Sequence, residues 1–363
     1  MRHEHLIAEA KRLAPTLAQI LGRRPRHHEV LDAVAKTQGA LGWSELVAAT
    51  RPSLRSRLAA LCGLGGAQPR IGVPLDALLY PETTEDLQLG VCEATGQFHF
   101  QDRANQCRHM LAAASAGSGG YTFVRDMMAQ HMVRGGGLLF VERELSDSHF
   151  EDLARLAEAL GRSNDIREAW AASAVDLRAA MQERRVVRYR DEPASVARWL
   201  MRDLHDALVA NMSEGSKPNS RTPFMVVVDA GVLLSSGMTS AFMQQARGQG
   251  VAFVATTQYG SPALEAEGEE LLATTWTKVF FRSFDMSGAK AAARVVVQAG
   301  GVRNSAPTGA AVLDEEVVAD ALMALDIGEY LLVAPHMCLQ GAGGGSPVRK
   351  VRARYPSYFQ ELR

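Results

Sequence analysis

Cysteine is scarce, at four in 363 residues. Cys62, Cys92, Cys107 and Cys338 are too scattered for a CxxC zinc pair and too few for a disulfide framework, so buried, reduced thiols are expected. Long apolar runs are absent as well. A membrane helix needs about 18 uninterrupted apolar residues, whereas stretches such as Phe224 to Val228 are only strand-length. The opening Met1-Arg2-His3-Glu4-His5 has no apolar h-region, so no secretory signal is read. The expected place is the cytoplasm, with membrane association only through partners. Charge of one sign is lacking too: Lys plus Arg number 39 against 40 Asp plus Glu, for a net charge of -1. A global basic field that could hold a polyanion is thereby excluded, and any nucleic-acid contact has to be local. Ten histidines include no HExxH helix, and the adjacent His27 and His28 face two directions on a helix, so no metal site is predicted.

Apolar side chains make up 47% of the chain and charged ones 22%, which is ordinary for a soluble globular protein with one large core and a small appendage. Residues 1–62 read as a helical unit: Leu6, Ile7, Leu13, Leu17 and Ile20 recur at helical spacing until Gly22 and Pro25 interrupt them. The stretch HHEVLDAVAKTQGALGWSELVAA within it resembles a small helical module found beside glyoxalase-related and plasmid-borne proteins. Residues 63–86, with glycines from Gly63 to Gly66 and then Pro69 and Pro74, read as a linker.

Residues 87–340 have a different texture, in which short apolar runs alternate with helical patterns. Met110 to Ala113, Leu138 to Val141, Val186 to Tyr189, Phe224 to Val228, Val251 to Thr256 and Val279 to Phe281 are predicted strands. Near-continuous apolar strands separated by helices predict an α/β fold: a mainly parallel sheet with helices on both faces. Residues 341–363 combine GAGGGSP with a basic, aromatic end carrying Arg349, Lys350, Arg352 and Arg354, and are expected to form a solvated arm.

The most informative stretch is RHMLAAASAGSGGYTFVRDMMAQHMVRGGGLLFVERELSD, residues 108–147. It reads as strand, glycine-rich loop, helix, glycine turn and strand. A phosphate-binding loop of the form GxxxxGK[ST] uses backbone N–H groups and a helix N-terminus to hold phosphate, a Lys to neutralise it and a hydroxyl to bind magnesium. Here Ala114 stands at the first Gly, Gly117-Ser118-Gly119 keeps the turn, Gly120 replaces the Lys and Tyr121 replaces the Ser or Thr. Thr122 supplies a hydroxyl only if the loop holds one extra residue. Arg125 substitutes for the Lys only by folding back.

The order of motifs from about Leu87 to about Ala334 resembles the type IV coupling proteins of conjugation and secretion systems, the TraD, TraG and DotL relatives among the FtsK and HerA ring ATPases. Arg108-His109-Met110-Leu111 occupies the place of their Arg-His-hydrophobic strand start, and Gly135-Gly136-Gly137 that of their glycine turn. Their Asp-x-Lys-Gly-Asp-like element is Glu142-Arg143-Glu144-Leu145 here. RTPFMVVVDAGVLL resembles their Walker B strand, with Asp229 kept and Ala230 in place of the water-activating Glu. AFMQQARGQGVAFVATTQYGSP matches their Thr-Gln element, with Gln258 and Arg247 in position, and LLATTWTKVFFRSFD resembles the segment that follows.

The resemblance implies a RecA-like P-loop fold with a degenerate nucleotide site formed by Gly117, Ser118, Gly119, Gly120, Tyr121, Thr122, Asp229 and Gln258. It also implies Arg247 and Arg282 as candidates for a contribution to a neighbouring subunit. Losing the Lys removes a charge-assisted contact worth about 1.5–3 kcal/mol. Losing the general base costs a further ~10²–10⁴-fold in rate. The expectation is a pseudo-ATPase with no catalytic residues, no cofactor and no metal. Its expected partners are an intact coupling ATPase or other secretion and conjugation proteins, DNA as a further partner, and an oligomer with itself or with them. Two alternatives stand beside it: an active ATP-dependent translocase with a variant loop, and a DNA-binding accessory module.

Overall fold

The computed structural model divides into two compact units, Met1–Pro69 and Arg70–Arg363. It describes residues 87–92, 98–101, 106–142, 147–170, 176–190, 202–210, 222–237, 240–301, 314–334, 348–354 and 356, all in the second unit. The helical reading of 1–62, the linker 63–86, His27, His28, Cys62, Cys338, Arg143 to Leu145 and the glycine-rich 341–347 lie outside the described residues.

Eleven strands form one sheet: β1 (Leu87–Cys92), β2 (Phe98–Gln101), β3 (Met110–Ala114), β4 (Leu138–Glu142), β5 (Ile166–Trp170), β6 (Val186–Arg190), β7 (Phe224–Asp229), β8 (Val251–Gln258), β9 (Thr277–Phe281), β10 (Glu329–Val333) and β11 (Val348–Ala353). Their order is β2-β1-β11-β10-β9-β3-β8-β7-β4-β6-β5. From β9 to β5 every pairing is parallel; from β9 to β2 every pairing is antiparallel. The helices are α1 (Gly120–Val133), α2 (Asp147–Ala159), α3 (Leu177–Glu183), α4 (202–210), α5 (Ala230–Ser235), α6 (Ser240–Gly248), α7 (Glu269–Thr274), α8 (Met286–Gly301) and α9 (Glu315–Ala324).

Helices lie on both faces because the parallel strands are apolar on both. In β3, Leu111 and Ala113 join Phe253, Ala255 and Phe280 under α5, α6, α8 and α9. Met110 and Ala112 point the other way, toward Phe123, Met127, Phe150 and Leu153 of α1 and α2. All six strands predicted from the apolar runs are present. The sheet has the expected α/β form, mainly parallel with helices on both faces, with the loop-bearing strand β3 between β8 and β9 and later strands inserted between it and β4.

The solvated C-terminal arm is corrected. Val348–Ala353 is an inner strand between β10 and β1, with Val351 fully buried. Its charged residues serve Glu329, whose buried carboxylate accepts from Lys350 Nζ at 2.9 Å, from Arg352 and from the Asp326 N–H at 2.8 Å. Alternation explains the strand: Val351 packs into the core, while Lys350 and Arg352 on either side of it turn the other way and neutralise one carboxylate.

The glycine turn after α1 is needed position by position. Gly135 has a φ of 75°. A Cβ on Gly136 would stand 2.2 Å from the His131 ring, and one on Gly137 would stand 2.6 Å from the Arg184 backbone. Arg162 locks the turn by donating to the carbonyls of Met132, Gly136 and Arg184. Gln130 ties α1 to β1, accepting from the Gln88 N–H at 2.8 Å and donating to the Gln88 carbonyl at 3.0 Å.

Candidate functional site

Ligand sites in such sheets form at the carboxyl ends of the strands, where the order switches direction. At that edge the loop after β3 turns through Gly117 at φ 77° and Gly119 at φ 103°, and α1 begins at Gly120. The loop is held from three sides. Ser118 donates both its N–H and its hydroxyl to the Ser115 carbonyl, at 3.1 and 2.7 Å. Ser115 N–H donates to the Arg282 carbonyl at 3.4 Å, and the Ser115 hydroxyl accepts from the Phe284 N–H at 3.3 Å. Gly328 N–H donates to the Ser118 carbonyl at 2.9 Å, and a Cβ on Gly119 would lie 3.1 Å from the Gly328 backbone.

The register places Gln258, exposed at the end of β8, opposite Ala114, and Asp229 opposite Thr256. Gly117 to Thr122, Asp229, Gln258 and the Arg282 backbone therefore share one edge. Arg247 does not. It lies on α6 with its guanidinium over Trp276, just before β9, at the amino ends of the strands. Arg125 is also corrected as a stand-in for the lysine: it pairs with the buried Asp152 of α2 at 2.7 Å.

The positions that match a phosphate loop's lysine and hydroxyl hold Gly120 and Tyr121 at this edge. A Cβ at position 120 would sit 2.4 Å from the Ala114 Cβ and 3.4 Å from the Phe281 ring, so the lysine position has no room for a side chain. The Ala114 methyl and a Cβ at position 120 would thus compete for the same space. At the hydroxyl position Tyr121 is 39% exposed. Asp229 Oδ1 accepts from the Gly231 N–H at 2.8 Å, capping α5, and the following Ala230 is fully buried in the core. No group at position 230 can polarise water.

Two further buried groups are structural. His109 accepts the Phe253 N–H at Nδ1 (3.1 Å) and donates from Nε2 to the Met243 carbonyl (2.8 Å), and burial lowers its pKa to about 4. It therefore clamps the start of β3 between α6 and β8 as a neutral imidazole. Burial likewise lowers His131 to about 4. At the start of α8, Asp285 accepts from the Gly288 N–H and the Ser287 hydroxyl, and these bonds lower its pKa. Sequence reading missed all three, since each role depends on partners far away in the chain or on cap geometry. Among the described residues no group of three or more His, Cys, Asp or Glu could hold a metal, and no helix is long and apolar enough to cross a membrane.

No protein-family model matches the chain, and no curated protein matches it in sequence. Solved structures resemble it in fold. The bacterial conjugative coupling protein TrwBdeltaN70 is 12% identical with a TM-score of 0.47, over 81% of this chain and 97% of that one. VirB4 of Thermoanaerobacter pseudethanolicus is 11% identical with a TM-score of 0.45, over 77% of this chain and 99% of that one. The cytoplasmic domain of the type VII secretion ATPase EccC of Thermomonospora curvata is 13% identical with a TM-score of 0.46, over 76% of this chain. This chain spans 27% of the length of that EccC domain and 44% of the structure holding EccC ATPases 2 and 3. These values are too low to assign an activity, so function is argued from the residues.

Proposed function

We propose that the chain is a nucleotide-free member of the coupling-ATPase group, a pseudo-ATPase that serves a type IV secretion or conjugative transfer apparatus as a protein-binding scaffold. One observation carries the reading: the Ala114 methyl occupies the space that a Cβ at position 120 would need. A loop that had merely lost its lysine would keep that space open. Asp229, turned to capping, and Ala230, packed in the core, support the same reading from a second strand. A fold and its chemistry are separable, so the platform persists as a docking body while turnover is gone. Its partners in this reading are an intact coupling ATPase or neighbouring secretion proteins.

Isothermal titration of the full chain with Mg-ATP, paired with a phosphate-release assay with and without DNA, tests the proposal. The expected result is no heat of binding below the millimolar range and no phosphate release. Micromolar binding with DNA-stimulated turnover would replace this reading with that of a working translocase.

A further inference from the structure

The amino-terminal edge of the sheet, opposite the degenerate loop, carries a different cluster. Trp276 links α7 to β9, donates its backbone N–H to the Arg108 carbonyl at 3.0 Å and is 40% exposed. The Arg108 guanidinium carbon lies 4.4 Å from the indole centroid and that of Arg247 lies 5.7 Å from it. Among the described residues neither guanidinium has a carboxylate or a hydrogen-bond acceptor, and Arg108 Nε is buried without a partner. Two guanidinium groups thus meet at one exposed indole with no carboxylate in reach among the described residues.

Stacking on the indole leaves the N–H edges of a guanidinium directed outward, in a fork that matches a carboxylate. The surroundings decide which anion fits. The chain as a whole carries a net charge of -1. An extended polyanion such as nucleic acid needs a continuous basic track, whereas the described residues bring two guanidinium groups to this indole. A short segment with one or two carboxylates needs no more than these two groups.

We infer that Arg108, Arg247 and Trp276 form a docking site for a short acidic peptide segment of a protein partner. The site is independent of the degenerate loop, so its test does not depend on nucleotide binding.

Fluorescence anisotropy with the full chain tests it, using a labelled Asp/Glu-rich peptide that contains Leu and Tyr, beside a Lys-rich peptide of equal length and a short oligothymidylate. The acidic peptide should bind and the Lys-rich one should not. Arg247→Glu, on the exposed face of α6, should weaken binding by at least about tenfold, equivalent to 1.4 kcal/mol. Arg108→Gln and Trp276→Phe should each weaken it too, with unchanged thermal midpoints showing that the fold is intact. Tighter binding of oligothymidylate, lost in the same variants, would overturn the proposal in favour of nucleic acid. Absence of peptide binding, or binding indifferent to Arg247→Glu and Arg108→Gln, would overturn it outright.

Discussion

At the scale of single residues, Ala114 and Gly120 behave as a pair. Restoring the lysine alone by Gly120→Lys drives a Cβ to within 2.4 Å of the Ala114 methyl, an overpacking that costs about 1–3 kcal/mol. The double variant Ala114→Gly/Gly120→Lys should recover most of that loss, and a double-mutant cycle on urea-unfolding midpoints measures the coupling. Additive effects would mean that the two positions do not share the space. His109 and His131 lead to a second expectation. Their folded pKa values, about 4, lie below the ordinary 6.5, so the unfolded chain binds more protons between those limits. Stability is therefore complete above pH 6.5 and falls as pH drops toward 4, by about 1.4 kcal/mol per pH unit for each imidazole. Unfolding midpoints at about pH 7 and pH 5 check the sign; a flat profile would mean that the folded imidazoles accept protons freely.

At the scale of elements, legibility followed burial only among the parallel strands; on the antiparallel side β1, β2 and the wholly buried β10 were not read. The six strands read from apolar runs are buried on both faces, and such strands are nearly uninterrupted in sequence. β5, as IREAW, and β11, as VRKVRA, were not legible because their charged residues suggest solvent. In β11 the charges are explained by a partner 23 residues away in the chain, Arg352 to Glu329. The variant Lys350→Ala/Arg352→Ala leaves that buried carboxylate without its cations and should cost about 3 kcal/mol, read by chemical denaturation. A solvated arm would lose nothing. The glycine turn was legible as a motif, but its reasons were not: the His131 ring and the Arg184 backbone make two of the three glycines necessary, and neither could be placed there from spacing alone.

At the scale of the whole molecule, the sheet is a rigid platform with two working edges. The carboxyl edge holds the glycine loop after β3, tied down through Ser115, Arg282 and Gly328, with no space for a side chain at position 120. The amino edge presents cations on an exposed indole. Arg247, read as a candidate for a contribution to a neighbouring subunit, lies at the second edge, because α6 ends just before β8 begins. Titration with Mg-ATP reports on one edge and anisotropy with the acidic peptide on the other, so the two outcomes are separable.

Periodicity and loop composition by themselves determined the α/β class and the strand–loop–helix unit, since these follow from residue type along a local stretch; the reading of a missing lysine, hydroxyl and general base came from the resemblance to the coupling proteins' motifs. Only the tertiary structure decided that position 120 has no space for a side chain, that Asp229 caps a helix, that Arg125 belongs to Asp152 and that Arg108 and Arg247 meet at Trp276. Each of those depends on a distance between segments far apart in the chain, and such distances arise when the sheet brings its strand ends into register.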